Sequence, residues 1–511
     1  MTQPISKDVL ALIPARFVEK YRIVPLGLHG DRLVVAHPQG MDPTALHELS
    51  LLLNMEVDGE GRGEAELQEL IRVNYGLGAQ AIESLIKGER EEGRRLGPAL
   101  AASPLAEELD TSSDDAAIVS FVNHLLLQAY RDNATDIHIE PFDAGLAIRY
   151  RLDGFLHDVP VPAEVHRFHA AIVSRIKVMA DLNIGEHRLP QDGRIKAKID
   201  GQELDFRVSI LPTHYGEGVN LRLLVNTSIQ GGLEALGLHA EGVEIVQRLL
   251  RKPHGVVLVT GPTGSGKTTT LYTFLNLLNE VRRKIITIED PIEYTLQRIS
   301  QIQVHPKIGL GFAEGLRSML RHDPDVMMVG EIRDHETAET VIRVALTGHL
   351  VFSTVHTNDA PSTPARLLDM GIEPYLLTSS VECILAQRLV RLVCPSCAVP
   401  AEAELAPGAL GVSEEACARI SAGTEQAFAR GVGCGHCRST GYKGRTAIFE
   451  VMPVTPGLRE VIVARGSAAE LAQIAVREGF WPLRWRGLQL AARGRTTVEE
   501  VLRVTAAESG G

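Results

Sequence analysis

The stretch that decides the fold reads Gly261-Pro262-Thr263-Gly264-Ser265-Gly266-Lys267-Thr268. An apolar run at 256–259 precedes it, and a segment compatible with a helix follows at 269–278. Strand, glycine-rich turn and helix N-terminus form a Walker A loop, whose glycines let backbone N–H groups converge on a phosphate. We therefore predict a nucleotide site from Gly261 to Thr269, with Lys267 on the β- and γ-phosphates and the Thr268 hydroxyl on Mg²⁺.

Hydrolysis also needs carboxylates at the ends of neighbouring strands, where they hold Mg²⁺ through water and orient the attacking water. The apolar run 326–329 leads into Glu331, and the apolar run 285–288 leads into an acidic segment that includes Glu293. One such acid alone is more often a helix cap or a surface charge. Two strand ends of this kind in one P-loop unit favour catalysis.

A fourth apolar run, 350–354, leads into His356. A histidine at this end of the sheet faces the nucleotide and can donate a hydrogen bond to the γ-phosphate. The alternative is a buried structural histidine.

Composition limits the class of protein. The 511 residues suffice for about three or four domains. No apolar stretch has the length of a transmembrane helix, and the N-terminus does not resemble a signal peptide, so we expect a cytoplasmic protein that reaches a membrane only through a partner. The net charge of −12 argues against a nucleic-acid partner.

Apolar patterning divides the chain into six regions. We expect first a small α/β unit with a two-stranded hairpin at 21–26 and 33–36, and then a charge-dense linker, for which the alternative is an exposed helix. A second α/β unit begins with a helix at 118–130 and is followed by a P-loop unit of alternating strands and helices. A cysteine segment and a helical tail complete the order. The predicted bounds are 1–80, 81–116, 117–230, 231–393, 394–445 and 446–511.

Four of the six cysteines form two Cys-x-x-Cys pairs, Cys394 with Cys397 and Cys434 with Cys437. Thiolates at i and i+3 suit two vertices of a tetrahedral Zn²⁺ site, and two such pairs close it. The long gap between the pairs leaves room for a small helical insertion at 402–428. We predict a structural zinc site, with redox activity as the alternative. The other two cysteines are expected to be ordinary, partly buried residues.

Four motifs together resemble the secretion ATPase superfamily that drives type II secretion and type IV pili. They are the Walker A run, the acidic segment 289–294, the segment 323–334 and the segment with His349 and His356. The resemblance continues upstream through 135–141, 149–154 and 211–218, and it covers about residues 115 to 450.

The resemblance implies an α/β fold with a RecA-like P-loop ATPase domain, preceded by a PAS-like α/β domain and a small N-terminal α/β domain. It also implies a tetracysteine zinc element, a helical C-terminal tail, and a homohexamer that holds ATP between lobes and subunits. By the same resemblance, Glu293 is the general base, Glu331 the Walker B acid and His356 a γ-phosphate contact.

Three arginines of the second α/β unit stand at matching motifs, and the resemblance implies that they complete a neighbouring subunit's site. They are Arg194, Arg207 and Arg222. Guanidinium groups neutralise the charge that spreads over a transferring phosphoryl group. Surface salt bridging is the alternative for these arginines.

Within the superfamily, the four cysteines disfavour pilus-retraction members, and the short N-terminal unit favours the type II secretion ATPases. The resemblance then implies ATP hydrolysis that powers pseudopilus assembly. Expected partners are the cytoplasmic domain of an inner-membrane secretion component, docked on the N-terminal unit, and an inner-membrane platform protein.

Three alternatives stay open for the function, namely a type IV pilus extension ATPase, a nucleotide-gated scaffold with little turnover, and a nucleic-acid motor. The acidic charge and the lack of clustered basic and aromatic residues near the cysteines disfavour the motor. Residues 95–100 carry the letters of a cyclic-dinucleotide signature, but because they fall in the linker no such ligand is predicted.

Overall fold

The structure is a computed structural model that describes residues 113–143, 145–199, 202–224, 232–402, 410–422 and 427–505, together with part of 5–74. Contacts divide the chain into two units, Met1–Val225 and Asn226–Gly511. Most of the predicted linker, with residues 95–100, lies outside the described residues. Among the helices of the described part, none is long and apolar enough to cross a membrane.

The N-terminal part of the first unit contains a short helix, Lys7–Leu10, and a three-stranded sheet in the order β1-β2-β3. The strands are β1 (Val24–His29), β2 (Arg32–Pro38) and β3 (Glu56–Arg62). The pair β1 and β2 is antiparallel, close to the predicted hairpin, whereas β3 runs parallel to β2. The sequence analysis does not predict β3, because its polar sequence EVDGEGR lacks apolar alternation.

The rest of the first unit is a six-stranded antiparallel sheet in the order β6-β5-β4-β9-β8-β7. Its strands are β4 (Asp136–Phe142), β5 (Gly145–Leu152), β6 (Phe155–Asp158), β7 (Gln191–Ile199), β8 (Gln202–Thr213) and β9 (Gly216–Leu224). The helices Ser113–Arg131 and His169–Met179 bury Phe121 and Ile176 in the same core as the sheet.

The first of these helices begins at Ser113, inside the predicted linker, and not at Ile118. Asp114 and Asp115 are typical of a linker in composition, which is why the predicted linker extends to residue 116. The sequence analysis also missed β6, a strand of four mostly exposed residues.

The second unit is built around a seven-stranded sheet in the order β12-β11-β13-β14-β10-β15-β18. The strands of this unit are β10 (Gly255–Thr260), β11 (Ile285–Glu289), β12 (Ser300–Gln303), β13 (Val326–Val329), β14 (Leu350–Val355), β15 (Val381–Val393), β16 (Ala398–Pro400), β17 (Ala429–Gly431) and β18 (Tyr442–Pro453). Six strands of the sheet are parallel, and β18 is antiparallel to β15.

Helices cover both faces of this sheet, as the sequence predicts. Along β10, Val256 and Leu258 pack into one hydrophobic cluster, and Val257 and Val259 into the other. The helices of this part are Gly232–Ala235, Ala240–Leu250, Lys267–Leu278, Phe312–Met319, His335–Leu346, Ser362–Asp369 and Pro374–Ser380.

The cysteine segment contains the two-stranded ribbon β16–β17 and a helix, Glu414–Ser421, which falls within the predicted insertion. In the described residues after β18, four helices follow, at Pro456–Val463, Ala468–Arg477, Leu483–Ala492 and Val498–Thr505. The sequence analysis does not predict β12, β15 or β18. Since β18 pairs with β15, residues on both sides of the predicted boundary at 445–446 belong to the central sheet.

Candidate nucleotide site and cysteine cluster

The Walker A loop has the predicted setting, because it connects the end of β10 to the N-terminus of the helix Lys267–Leu278. Gly261 has φ of +147°, and a Cβ there would lie 2.6 Å from the carbonyl oxygen of Gln387. Gly266 has φ of 90° and is the N-cap of the helix, with no side-chain hydrogen bond to its first turn. The amide groups of that first turn are therefore positioned for a phosphate.

Lys267 is held at this loop. Its Nζ donates hydrogen bonds to the carbonyl oxygens of Gly261, at 2.7 Å, and Pro262, at 3.1 Å. Burial lowers the pKa of Lys267, and the nearby carboxylate of Glu331 opposes that shift. The Walker A amine and the strand-end acid are thus close enough to interact electrostatically.

Two residues of β15 that the sequence did not predict each hold a loop at this end of the sheet, Gln387 the Walker A loop and Arg388 the loop after β14. The buried Gln387 donates from Nε2 to the carbonyl oxygen of Ser265 at 2.6 Å, and its Oε1 accepts the hydroxyl of Thr270 at 2.8 Å. Arg388 donates from Nη2 to the carbonyl oxygen of Asn358 at 2.7 Å.

Glu331 and His356 lie next to each other, since they follow the adjacent strands β13 and β14. His356 Nε2 lies 3.2 Å from a carboxylate oxygen of Glu331, whose side chain is only 14% exposed. Arg333 forms a close ion pair with the other oxygen of Glu331. Its Nη1 also lies 3.9 Å from a carboxylate oxygen of Asp290. This group of charges stands at the same end of the sheet as the Walker A loop, where parallel strands end.

The acids that follow β11 have two different environments. Glu289 is buried and accepts hydrogen bonds from the hydroxyl of Tyr272, from Thr287 at 2.5 Å and from Gln301 at 3.0 Å. Burial raises its pKa despite these donors. Glu293 is half-buried on the following segment, and its backbone N–H lies 3.4 Å from the Tyr272 hydroxyl. Glu289 therefore anchors the segment that carries Glu293.

The three predicted arginines form one row across the sheet of the first unit. Arg194 on β7 is directly opposite Arg207 on β8, which is directly opposite Arg222 on β9. Arg194 and Arg222 also pair with acids, at 2.7 Å from Asp205 and 2.9 Å from Asp136. These are the salt bridges that the alternative interpretation predicts, and the two carboxylates partly compensate the repulsion between like charges on directly opposite residues.

The four cysteines of the two pairs converge, and all of their sulfur atoms lie within 4.8 Å of one another. Three Sγ–Sγ distances are 3.9 Å for Cys394 to Cys434, 3.8 Å for Cys397 to Cys437 and 3.7 Å for Cys434 to Cys437. A tetrahedron with zinc–sulfur bonds of about 2.3 Å has edges of about 3.8 Å. The donor set and its spacing therefore fit a zinc ion.

The knuckle around Cys437 is prepared for a thiolate. Burial by itself would raise the pKa of Cys437, but hydrogen bonds from the backbone N–H groups of Cys434 and Gly441, together with those of the Cys434 and Cys397 thiols, lower the pKa to about 7. A Cβ on Gly431 would lie 2.0 Å from the Gly441 carbonyl oxygen. The close contact between these two backbone segments beside the cluster therefore requires glycine at position 431. The other two cysteines, Cys383 and Cys417, are buried away from this cluster.

Comparison with family models covers almost the whole chain. A model of the type II/IV secretion system proteins matches residues 111–503, and a model of the MshEN domain matches residues 1–75.

Individual relatives extend this result. The chain is 43% identical to the type II secretion system protein E of Pseudomonas aeruginosa over 516 residues, which are 99% of this chain and 100% of the relative. It is 43% identical to the type IV pilus assembly ATPase PilB of Myxococcus xanthus over 508 residues, 98% of this chain and 87% of the relative. The crystal structure of the pilus retraction motor PilT with bound ADP matches with a TM-score of 0.50 and 25% identity, over 75% of this chain and 96% of PilT. These matches confirm the resemblance that the motifs predict.

Proposed function

The chain belongs to the family of type II/IV secretion system proteins, and we propose that it is a hexameric ATPase that powers pseudopilus assembly and protein export by type II secretion. ATP hydrolysis coupled to secretion is the activity of this family. The relative from Pseudomonas aeruginosa, aligned over its full length, supports the choice of type II secretion.

The observation that carries the proposal is the meeting of the Walker A loop with Glu331 and His356 at one end of the parallel sheet. ATP would bind with its phosphates on residues 261–269, Lys267 would neutralise the β- and γ-phosphates, and His356 would contact the γ-phosphate. PilT was crystallised with ADP, which supports adenine as the base.

Glu331 and Glu293 would have different roles in hydrolysis. Thr268 and, through water, Glu331 would hold Mg²⁺, which neutralises charge on the phosphates. Glu293 would act as the general base that takes a proton from the attacking water. The Glu289–Tyr272 anchor supports this role, because it fixes the segment on which Glu293 lies.

The arginine row would act on a neighbouring subunit's nucleotide. Arg194, Arg207 and Arg222 present three positive charges on one face of the sheet, which suits the charge that develops on a transferring phosphoryl group. A site completed by a second subunit couples hydrolysis to assembly, which is what a hexameric motor requires.

The four clustered cysteines would hold a structural Zn²⁺ that closes the segment between β15 and β18. The N-terminal region, which matches the MshEN domain, would dock on the cytoplasmic domain of an inner-membrane secretion component. An inner-membrane platform protein would be the second membrane partner. The enzyme would then be cytoplasmic and attached peripherally to the inner membrane.

A second candidate function is extension of a type IV pilus. The specific observation in its favour is the identity of 43% to the PilB protein of Myxococcus xanthus, equal to that of the type II relative. Both candidates require the same ATPase site. Deletion of the gene would separate the two candidates. Loss of the export of folded proteins would indicate type II secretion, and loss of surface pili would indicate pilus extension.

Two variants of the full chain test the site. Lys267→Ala should abolish both ATP binding and turnover, whereas Glu293→Gln should bind ATP as the wild type does and lose turnover by about 10²-fold or more. Binding measured by calorimetry and phosphate release measured in the same buffer are the readouts. Normal hydrolysis by Glu293→Gln would overturn the assignment of the base.

A further inference from the structure

Glu450 is a buried acid in the middle of β18, outside the nucleotide site. Its partner in the sheet is Ala386 on β15, the residue before the loop-shaping Gln387. One carboxylate oxygen accepts the backbone N–H of Ala360 at 2.7 Å, and the other accepts the backbone N–H of Leu483 at 2.9 Å. The carboxylate therefore joins two segments that are distant in sequence.

The first segment is the loop that carries His356. Thr357 is locked to the end of β10, because its N–H donates to Thr260 Oγ1 at 2.8 Å and its carbonyl oxygen accepts that hydroxyl at 2.9 Å. The Thr357 hydroxyl donates to the carbonyl oxygen of Asp359 at 3.0 Å. The next residue, Ala360, is the one bound by Glu450, so the carboxylate's contact lies four positions after His356.

The second segment is the start of the C-terminal helix Leu483–Ala492. This helix has Pro482 as its N-cap and no side-chain cap hydrogen bond. Glu450 supplies what the cap residue does not, because a carboxylate at a helix N-terminus satisfies an amide of the first turn and interacts favourably with the helix dipole. The C-terminal helices thus reach the nucleotide-facing loop through one side chain.

We propose that Glu450 is a positioning residue that couples the C-terminal helices to the His356 loop, so that a change at the γ-phosphate is passed to the helix Leu483–Ala492. The charged groups that face Glu450 are Asp359, from the loop, and Arg388, from β15. Arg388 also binds the carbonyl oxygen of Asn358, which ties the same loop to the strand that shapes the Walker A loop. The inference rests on the proposed contact of His356 with the γ-phosphate.

Glu450→Gln is the sharpest variant, since it keeps the shape of the side chain but replaces one acceptor oxygen with an NH₂ group that faces an N–H. At pH 8, where the Glu450 carboxyl group is ionised, we expect kcat for ATP to fall about tenfold, as for one lost buried hydrogen bond, while KM changes by less than about twofold because the Walker A contacts remain. An unchanged kcat would overturn the proposal.

Glu500→Gln is the matched control. Glu500 is also buried, accepts the N–H of Arg391 at 3.0 Å and pairs with Arg503, but within the described residues its hydrogen bonds and ion pairs do not include residues 356–362. We expect a lower melting temperature for this variant and a kcat within about twofold of wild type. An equal loss of kcat in both variants would mean general destabilisation and would contradict the proposal.

A double variant tests the route. If Glu450 acts through the His356 loop, His356→Ala combined with Glu450→Gln should turn over ATP within about twofold of His356→Ala alone. Losses that multiply would overturn the coupling. Wild-type turnover by His356→Ala would instead refute the proposed γ-phosphate contact, and the exchange measurement described next would then decide on Glu450.

Hydrogen–deuterium exchange of the full chain follows the coupling without a catalytic readout. Binding of Mg²⁺ and a slowly hydrolysed ATP analogue should slow exchange in peptides covering 356–362 and 481–486 in the wild type. In Glu450→Gln only the first peptide should respond. The inference would be refuted if nucleotide binding did not slow exchange at 481–486 in the wild type, or if it still slowed exchange there in Glu450→Gln.

Discussion

Replacing Gln387 with leucine tests whether β15 shapes the Walker A loop. The side chain is buried and makes two hydrogen bonds, to the carbonyl oxygen of Ser265 at 2.6 Å and to the hydroxyl of Thr270 at 2.8 Å. Leucine has a similar volume but satisfies neither group. A buried polar group left without its partner costs about 1–3 kcal/mol, so the two together should destabilise the folded state by about 2–6 kcal/mol.

Part of this loss should appear in nucleotide affinity, because Ser265 belongs to the loop that receives the phosphates. We expect about 1–2 kcal/mol there, which weakens ATP binding about 5- to 30-fold. Titration calorimetry of the full chain gives the affinity, and differential scanning calorimetry gives the melting temperature.

Gln489→Leu is the matched control, since the Gln489 side chain is half-buried and, among the described residues, accepts a single long hydrogen bond of 3.5 Å from Arg486. Its effects should stay within about 0.5 kcal/mol. If Gln387→Leu lowers the melting temperature but binds ATP as tightly as the wild type, the inferred role of Gln387 in the loop is wrong.

Three further predictions concern other parts of the chain. Purified protein should contain about one zinc per chain by elemental analysis, and Cys437→Ser should lose the metal and melt at a lower temperature. A metal-free protein with the same melting temperature as the zinc-loaded protein would contradict the zinc proposal. Lys267→Ala chains and Arg222→Ala chains should each be inactive alone. If the arginines act on a neighbouring subunit, mixing the two should restore part of the ATP turnover. No restoration at any mixing ratio would count against that role of the arginines. Burial raises the pKa of Glu450 to about 7 from its ordinary 4.5, so the stabilisation of the protonated form is fully present below pH 4.5 and is lost as the pH rises through 7. Urea titrations at pH 5 and pH 8 should therefore show the wild type losing about 3 kcal/mol more than Glu450→Gln over this range, and parallel profiles would refute the shift.

The nucleotide site could be predicted where its signals are local. The glycine pattern specifies the Walker A loop in eight consecutive residues, and Glu331 and His356 follow from the rule that parallel strands end at one edge of a sheet. The four cysteines were predictable for the same reason, since each pair is a short motif with its own geometry.

Contacts between distant residues were not predictable in this way. Gln387 binds Ser265 across 122 positions, and nothing in the stretch 385–391 shows which strand it will join. The row of three arginines depends on strand register, which the hydrophobic pattern of one strand does not fix. Glu450 illustrates the same limit, because its two partners are a loop and a helix start that become neighbours only in the fold.

The proposed motor should hydrolyse ATP only once its subunits have assembled. The most direct test measures ATP turnover and molecular mass together, with and without the cytoplasmic domain of the candidate inner-membrane partner. We predict that turnover rises as hexamers form and collapses in Lys267→Ala. Tight ATP binding without turnover in any oligomeric state would contradict the motor and favour a nucleotide-gated scaffold.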